Sequence, residues 1–155
     1  ASSSTAKEPW RNPYAMSKFY MEQIAPHNAL GMRFTTVYGP GAREQMLIPK
    51  ILKNDVDYIN IDHSRDFIHI DDILTAVGFL IVNKLPKKLK VVDVGTGISN
   101  KLIDIFDHIN MTIKDKRMGT IYERKDNVAK IGTLSNMGWI PQTNLLDYLK
   151  ENYDN

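Results

Sequence analysis

The 155-residue chain carries 20 Lys plus Arg against 18 Asp plus Glu, a formal charge of +2, with 43% hydrophobic residues and no cysteine. A chain of this size buries about two-thirds of its unfolded surface, enough for one domain with its own core but not for a two-domain enzyme. The missing cysteines exclude disulfides, thiolate nucleophiles and sulfur-ligated metal centres; the mixed charges build no nucleic-acid footprint; and no apolar run or basic leader predicts a membrane span or export signal, which leaves the cytoplasm as the expected compartment.

Ala1 to Pro13 is polar and reads either as a tail or as the end of a strand entering a loop. Between Tyr14 and Ala25 the residues Ala15, Met16, Phe19, Tyr20 and Ile24 fall at helical spacing, with Pro13 in the first-turn region and Pro26 as a stop. Gly31 to Tyr38 is rich in β-branched and aromatic residues and ends in Gly39-Pro40-Gly41, which predicts a strand and a turn. A short helix follows over Met46 to Lys53, then a strand over Val56 to Ile61 and an extended piece over Asp66 to Ile70. Asp71 and Asp72 place negative charge where a helix N-terminus favours it, and that helix runs to Val82.

Lys84 to Lys90 reads as a solvated loop, and Lys90 to Val94 as a strand closing on Gly95-Thr96-Gly97. Ser99 is placed to cap a helix over Lys101 to Ile109. The tail predicts a strand over Thr120 to Glu123, a helix from Asn127 to Met137 ended by Gly138, and a last helix from Thr143 or Asn144 to Leu149. Alternation of strands and helices indicates an α/β fold with a partly parallel sheet.

Tyr14 and Lys18 lie one helical turn apart and share a face. An ammonium beside a phenol favours the phenolate, and such a tyrosine exchanges a proton with an alcohol or carbonyl. On spacing alone the pair is an ordinary feature of a helix surface. Four other segments change its meaning: Ser2-Ser3-Ser4; Gly31-Met-Arg-Phe-Thr-Thr-Val-Tyr-Gly-Pro40; Arg65-Asp-Phe-Ile-His-Ile-Asp-Asp72; and Val91-Val-Asp-Val-Gly-Thr-Gly97. With Tyr14-Ala-Met-Ser-Lys18 and Glu22, they resemble, in order, the extended short-chain dehydrogenase/reductases of the NAD-dependent nucleotide-sugar epimerase/dehydratase group.

The resemblance implies catalytic roles for Tyr14 as acid or base, for Lys18 in tuning it and binding the nicotinamide ribose, and for Ser4, with Ser3 as the alternative, in polarising the reacting oxygen. It implies that Tyr14, Lys18, Thr36 and Val37 face the cofactor NAD. Arg65 and Arg124 would meet the diphosphate of a nucleotide sugar, with Thr36 and Met46 beside the sugar. Threonine at the Thr36 place is found in uronic-acid sugar epimerases. Without the resemblance, Arg65 reads as half of a surface salt bridge with Asp62 or Asp66. His27, His63 and His69 read as surface or core histidines rather than as replacements for the tyrosine.

Gly95-Thr96-Gly97 imitates a phosphate loop, but no third glycine follows and no Walker pattern occurs anywhere. The resemblance places a glycine-rich NAD-binding unit at the N-terminus that this sequence does not show, and so implies a truncated Rossmann-like α/β fold that keeps the later strands and the substrate-binding part. Residues 1–40 would be a remnant of the core and residues 41–155 mostly substrate-binding, with 64–94 returning in part to the core sheet. The pyrophosphate-binding loop is expected to be absent. On that expectation the chain is the C-terminal portion of a longer enzyme, the partner of a separate N-terminal half, or a reduced protein. The expected ligand is a nucleotide-diphosphate sugar and the expected assembly a homodimer; the alternative activity is a non-catalytic nucleotide-sugar-binding or interaction module.

Overall fold

In the computed structural model, which describes residues 1–153, the chain enters as the short strand β1 (Ser2–Ser3) and turns through two 3-10 segments over Ser4–Lys7 and Pro9–Arg11. Helix α1 (Pro13–Ile24) starts where the chemistry of its ends dictates. The Asn12 side chain accepts from the Ala15 amide at 2.9 Å, and Pro13 occupies the first turn, where its missing N–H costs nothing. Strand β2 (Gly31–Phe34) then returns parallel to β1, with Ser2 opposite Arg33 and Ser3 opposite Phe34.

The single strand expected over Gly31 to Tyr38 is broken at Thr35. The Thr35 amide donates to Val94 O, whereas the next amide, Thr36, donates to Asp66 O, so successive residues change partners. Beyond the break, β3 (Thr36–Tyr38) leads to α2 (Leu47–Leu52), β4 (Tyr58–Asn60), β5 (Ser64–Arg65), β6 (Phe67–His69) and α3 (Ile70–Val82). Then come β7 (Val91–Val94), β8 (Asn100–Lys101), α4 (Leu102–His108), β9 (Asp115–Arg117), α5 (Gly132–Asn136) and α6 (Leu145–Tyr153). The largest sheet has the order β1-β2-β7, all parallel; β3 pairs with β6 and β4 with β9 in parallel, and β5 with β8 antiparallel.

Two apolar clusters hold these layers. Ile73, Ala76 and Leu80 form the buried stripe of α3 and pack with Ile68, Val92, Val94, Leu134 and Trp139. Ile48, Ile51, Ile59, Phe67, Leu102, Phe106 and Leu149 form the second cluster, between α2, α4 and α6. Asp72, buried at the start of α3, ties the C-terminal segment to the fold by accepting from the Gln142 and Thr143 amides at 2.8 and 3.0 Å.

The expected truncated remnant is corrected at this point. The chain opens on a β–α–β unit, β1–α1–β2, whose strands pair in parallel and are extended by β7, the arrangement from which dinucleotide-binding folds are built. The expected loss of the pyrophosphate-binding loop falls with it, because the unit has its own strand-to-helix connection, Ser4 to Asn12, leading into the N-terminus of α1.

Three local expectations are also corrected. Thr120 to Glu123 is a turn, and the strand lies earlier, at β9. Residues 127–130 form neither helix nor strand, so the helix expected from Asn127 to Met137 shrinks to α5. Ser99 does not cap α4: its hydroxyl donates to Asp126 at 3.1 Å, and α4 begins after Lys101 without a side-chain cap.

Candidate active site

The carboxyl ends of β1, β2 and β3 open onto a cleft of about 560 Å³, walled by the β1–α1 connection, the start of α1 and the segment entering α2. Ser3, Ser4, Tyr14, Thr36, Val37, Met46 and Arg65 all line it. Their positions follow from the elements: Tyr14 sits in the first turn of the helix that Asn12 starts, Thr36 and Val37 lie on the strand beyond the Thr35 break, and Met46 is the residue from which α2 begins. Tyr14 is half exposed to the opening, while Ser4 is buried in the wall. Lys18, one turn along α1, holds its ammonium 5.5 Å from the Tyr14 ring centroid.

Glu22 anchors this helix from its buried face. Its carboxylate accepts from Arg33 Nε and Nη2 at 2.8 and 2.6 Å and from Ser2 Oγ at 2.5 Å. Burial pushes its pKa up, but the hydrogen bonds from Arg33 and Ser2 and the Arg33 charge outweigh burial and hold the carboxyl below its ordinary value. Tyr38 also reaches the cleft, yet it is an unsuitable proton exchanger. Burial, followed by the charge of Asp72 and by Tyr148, pushes its phenol well above the ordinary range, and its ring is locked edge-on against His69 and Tyr148.

Arg65 reaches the cleft from β5. Neither expected salt bridge, to Asp62 or Asp66, forms. The guanidinium donates to Ser64 O at 2.7 Å, to Lys125 O at 3.3 Å and to His63 Nδ1 at 3.0 Å. Arg124 lies in a smaller neighbouring cavity of about 140 Å³, which shares Thr5, Arg65 and Asn127 with the main cleft. It is committed to structure, donating to Glu8 at 2.7 Å and to Ser4 O at 2.8 Å. Arg11 and Asn12 clamp the same loop through the carbonyls of Ile121, Tyr122 and Glu123.

The Gly95-Thr96-Gly97 turn does bind an anion, but an internal one. Asp66, fully buried, accepts from Thr96 N and Oγ1 at 2.9 and 2.7 Å, from Gly97 N at 2.9 Å and from Ala129 N at 3.0 Å. Its carboxylate occupies the donors that a phosphate would need. A Cβ at Gly95 would stand 2.7 Å from Asp66 Oδ2, so only glycine admits this approach.

Asn127 and Thr35 are site residues that the sequence did not single out. Both are buried in the cleft wall, and Asn127 Oδ1 and Thr35 Oγ1 have no hydrogen-bond partner. Neither belongs to a spacing pattern that could have marked it.

The chain resembles known proteins in sequence and in fold. Residues 1–95 match the model of the "NAD dependent epimerase/dehydratase family". CDP-abequose synthase of Salmonella typhimurium is 29% identical over 163 residues, covering 89% of this chain and 53% of its own length. A mutant UDP-glucuronic acid 4-epimerase from Bacillus cereus, solved with UDP-4-deoxy-4-fluoro-glucuronic acid and NAD, superposes with a TM-score of 0.79 at 23% identity, covering 93% of this chain and 52% of that one. A dTDP-glucose 4,6-dehydratase from Streptomyces venezuelae gives 0.73 at 19% identity, over 92% and 50%. The chain thus spans about half the length of the curated relatives it matches. No helix among the described residues is long and apolar enough to cross a membrane. The chain belongs to the NAD dependent epimerase/dehydratase family.

Proposed function

We propose that this chain serves NAD-dependent epimerisation or dehydration of a nucleotide-diphosphate sugar, with Tyr14 as the acid/base. The observation that carries the reading is the convergence of Tyr14, Ser4, Thr36, Val37, Met46 and Arg65 on one cleft, with the Lys18 ammonium beside the Tyr14 ring. Oxidation of a ring alcohol requires its hydroxyl proton to leave as the carbon loses hydride, so a phenol oxygen beside that hydroxyl and a donor to the developing oxyanion must act together. Tyr14 takes the proton at its phenol oxygen and returns it. Ser4 steadies the oxygen; the Ser3 hydroxyl is instead engaged by Thr5 N and Thr5 Oγ1, at 3.3 and 3.0 Å, which favours Ser4 for the task. Lys18 stabilises negative charge on the phenol oxygen.

The residues present fit the nicotinamide end of NAD. The buried, unpartnered Thr35 Oγ1 and Asn127 Oδ1 are polar atoms that a ligand in the cleft would satisfy. Lys18, Tyr14, Thr36 and Val37 would hold it there. The chemistry that bound NAD supplies is reversible acceptance of hydride. Arg65 presents its fork of donors to the sugar-nucleotide diphosphate, Met46 and Thr36 flank the sugar, and Arg124 supports the diphosphate side through the loop it clamps. Threonine at position 36 and the uronic-acid substrate of the Bacillus cereus protein point to a uronic-acid nucleotide sugar. A second copy packs on the outward face of α1, where Tyr20, Met21 and Ile24 are exposed.

Calorimetric titration tests the reading. NAD is expected to bind saturably and about tenfold more weakly to Lys18→Ala. Absence of NAD binding by the wild-type chain, with nucleotide-sugar binding retained, would replace the enzyme with a binding module.

A further inference from the structure

We propose that His63 is the positioning residue for Arg65, a neutral hydrogen-bond acceptor that keeps the guanidinium aimed into the cleft. The inference rests on the proposed diphosphate role of Arg65.

Two donors converge on one imidazole nitrogen. Arg65 Nη2 lies 3.0 Å and Asn60 Nδ2 3.5 Å from His63 Nδ1, and the Asn60 amide is oriented by its own donation to Glu123 at 3.0 Å. A guanidinium has no lone pair to give, so Nδ1 must be the acceptor and the ring proton sits on Nε2. Nε2 is buried without a partner and packs on Gly119, where a Cβ would stand 1.8 Å away. The ring is therefore wedged in one orientation. Backbone contacts fix its base: the His63 amide donates to Asn60 O, and its carbonyl accepts from Leu102 N.

The consequence for Arg65 is electrostatic. Its three acceptors, Ser64 O, Lys125 O and His63 Nδ1, are all neutral, and among the described residues no carboxylate forms a salt bridge with it. It is held in place by neutral acceptors, while Glu123 and Asp126 act on its charge only from beyond ion-pair contact, so its donors stay directed at an incoming anion. A carboxylate at position 63 would compete with the ligand, and an imidazolium would push the guanidinium away.

The groups around the ring favour the neutral form. Burial, and then the Arg65 charge, lower the His63 pKa from its ordinary value of 6.5; Glu123 and Asp62 oppose this, and Lys125 adds to it. Asp62 Oδ1 is 4.0 Å from Nε2 and its carboxylate is tied to Gly119 N and Lys125. Lys50 and Asp57, across the adjoining groove, pair with each other at 3.0 Å.

The test is titration of the full chain with inorganic pyrophosphate. Arg65→Ala is expected to abolish binding, and His63→Leu to weaken it about tenfold, the value of one charge-assisted hydrogen bond. His63→Asn, whose Oδ1 falls where Nδ1 was, is expected to restore it. The ratio of wild-type to His63→Asn affinity cancels protonation of the probe itself. It should be flat at neutral pH and fall as pH drops below 6.5, where only the wild type has a group to protonate. Unchanged affinity in a folded His63→Leu, or a ratio independent of pH, would overturn the positioning role even if His63→Leu failed to fold. Unchanged affinity in Arg65→Ala would overturn the diphosphate site and this inference with it.

Discussion

At the scale of single residues, the site is built from side chains whose hydrogen bonds are assigned by structure and a few that are not. Glu22 shows the first kind. Its carboxyl is held below 4.5 by Arg33 and Ser2 against the opposing effect of burial, so the pairing contributes stability above that value and loses it as pH falls through the lowered one. Glu22→Gln is expected to be less stable than wild type by about 3 kcal/mol at neutral pH, with the gap closing below pH 4.5, as read from urea melts across pH. A gap independent of pH would contradict the ion pair. Tyr14 and Lys18 stood out in the sequence because the ordered segments around them gave meaning to a one-turn spacing that is ordinary by itself. Thr35 and Asn127 were not, because an unpartnered atom becomes visible only when its surroundings are known.

Elements show why some segments read cleanly and others did not. Helices α1 and α3 announced themselves through periodic apolar residues and an end signal, Pro13 for one and Asp71-Asp72 for the other. Strand β9, Asp115–Arg117, has no apolar alternation, because its partly exposed side chains pack on no core and its backbone pairing with β4 defines it. Residues 127–130 look helical in isolation, yet the Ala129 and Lys130 amides are taken by the distant carboxylates of Asp66 and Asp93, at 3.0 and 2.8 Å, which keeps the segment out of a helix. Lys7 completes this junction by pairing with Asp93. Gly95→Ala tests it. A Cβ there would come within 2.6 Å of Ala129 Cβ and 2.8 Å of Thr35 Cγ2, so a loss of about 1–3 kcal/mol is expected in urea melts. Wild-type stability would show that the junction is looser than these distances.

For the molecule as a whole, the order of five motifs was enough to indicate the family, while the expected truncation misread how the chain begins its sheet. Parallel pairing of β1 with β2 around α1 is a long-range fact that two serines cannot announce. The outward face of α1, with Ile24 at 80% and Tyr20 at 57% exposure, belongs to this scale too. Ile24→Lys is expected to shift the sedimentation velocity of the chain from dimer to monomer; equal coefficients for the two proteins would remove α1 from the interface.

The central claim is that this cleft oxidises a nucleotide sugar with Tyr14 moving the proton. Conversion of UDP- and CDP-linked hexoses and hexuronates by the chain with NAD, followed by anion-exchange chromatography and NMR, tests it most directly. The account predicts NAD-dependent conversion of one of these sugars, reduced about 100-fold or more in Tyr14→Phe with nucleotide binding unchanged. Conversion by Tyr14→Phe at the wild-type rate, or no conversion of any of them, would contradict it.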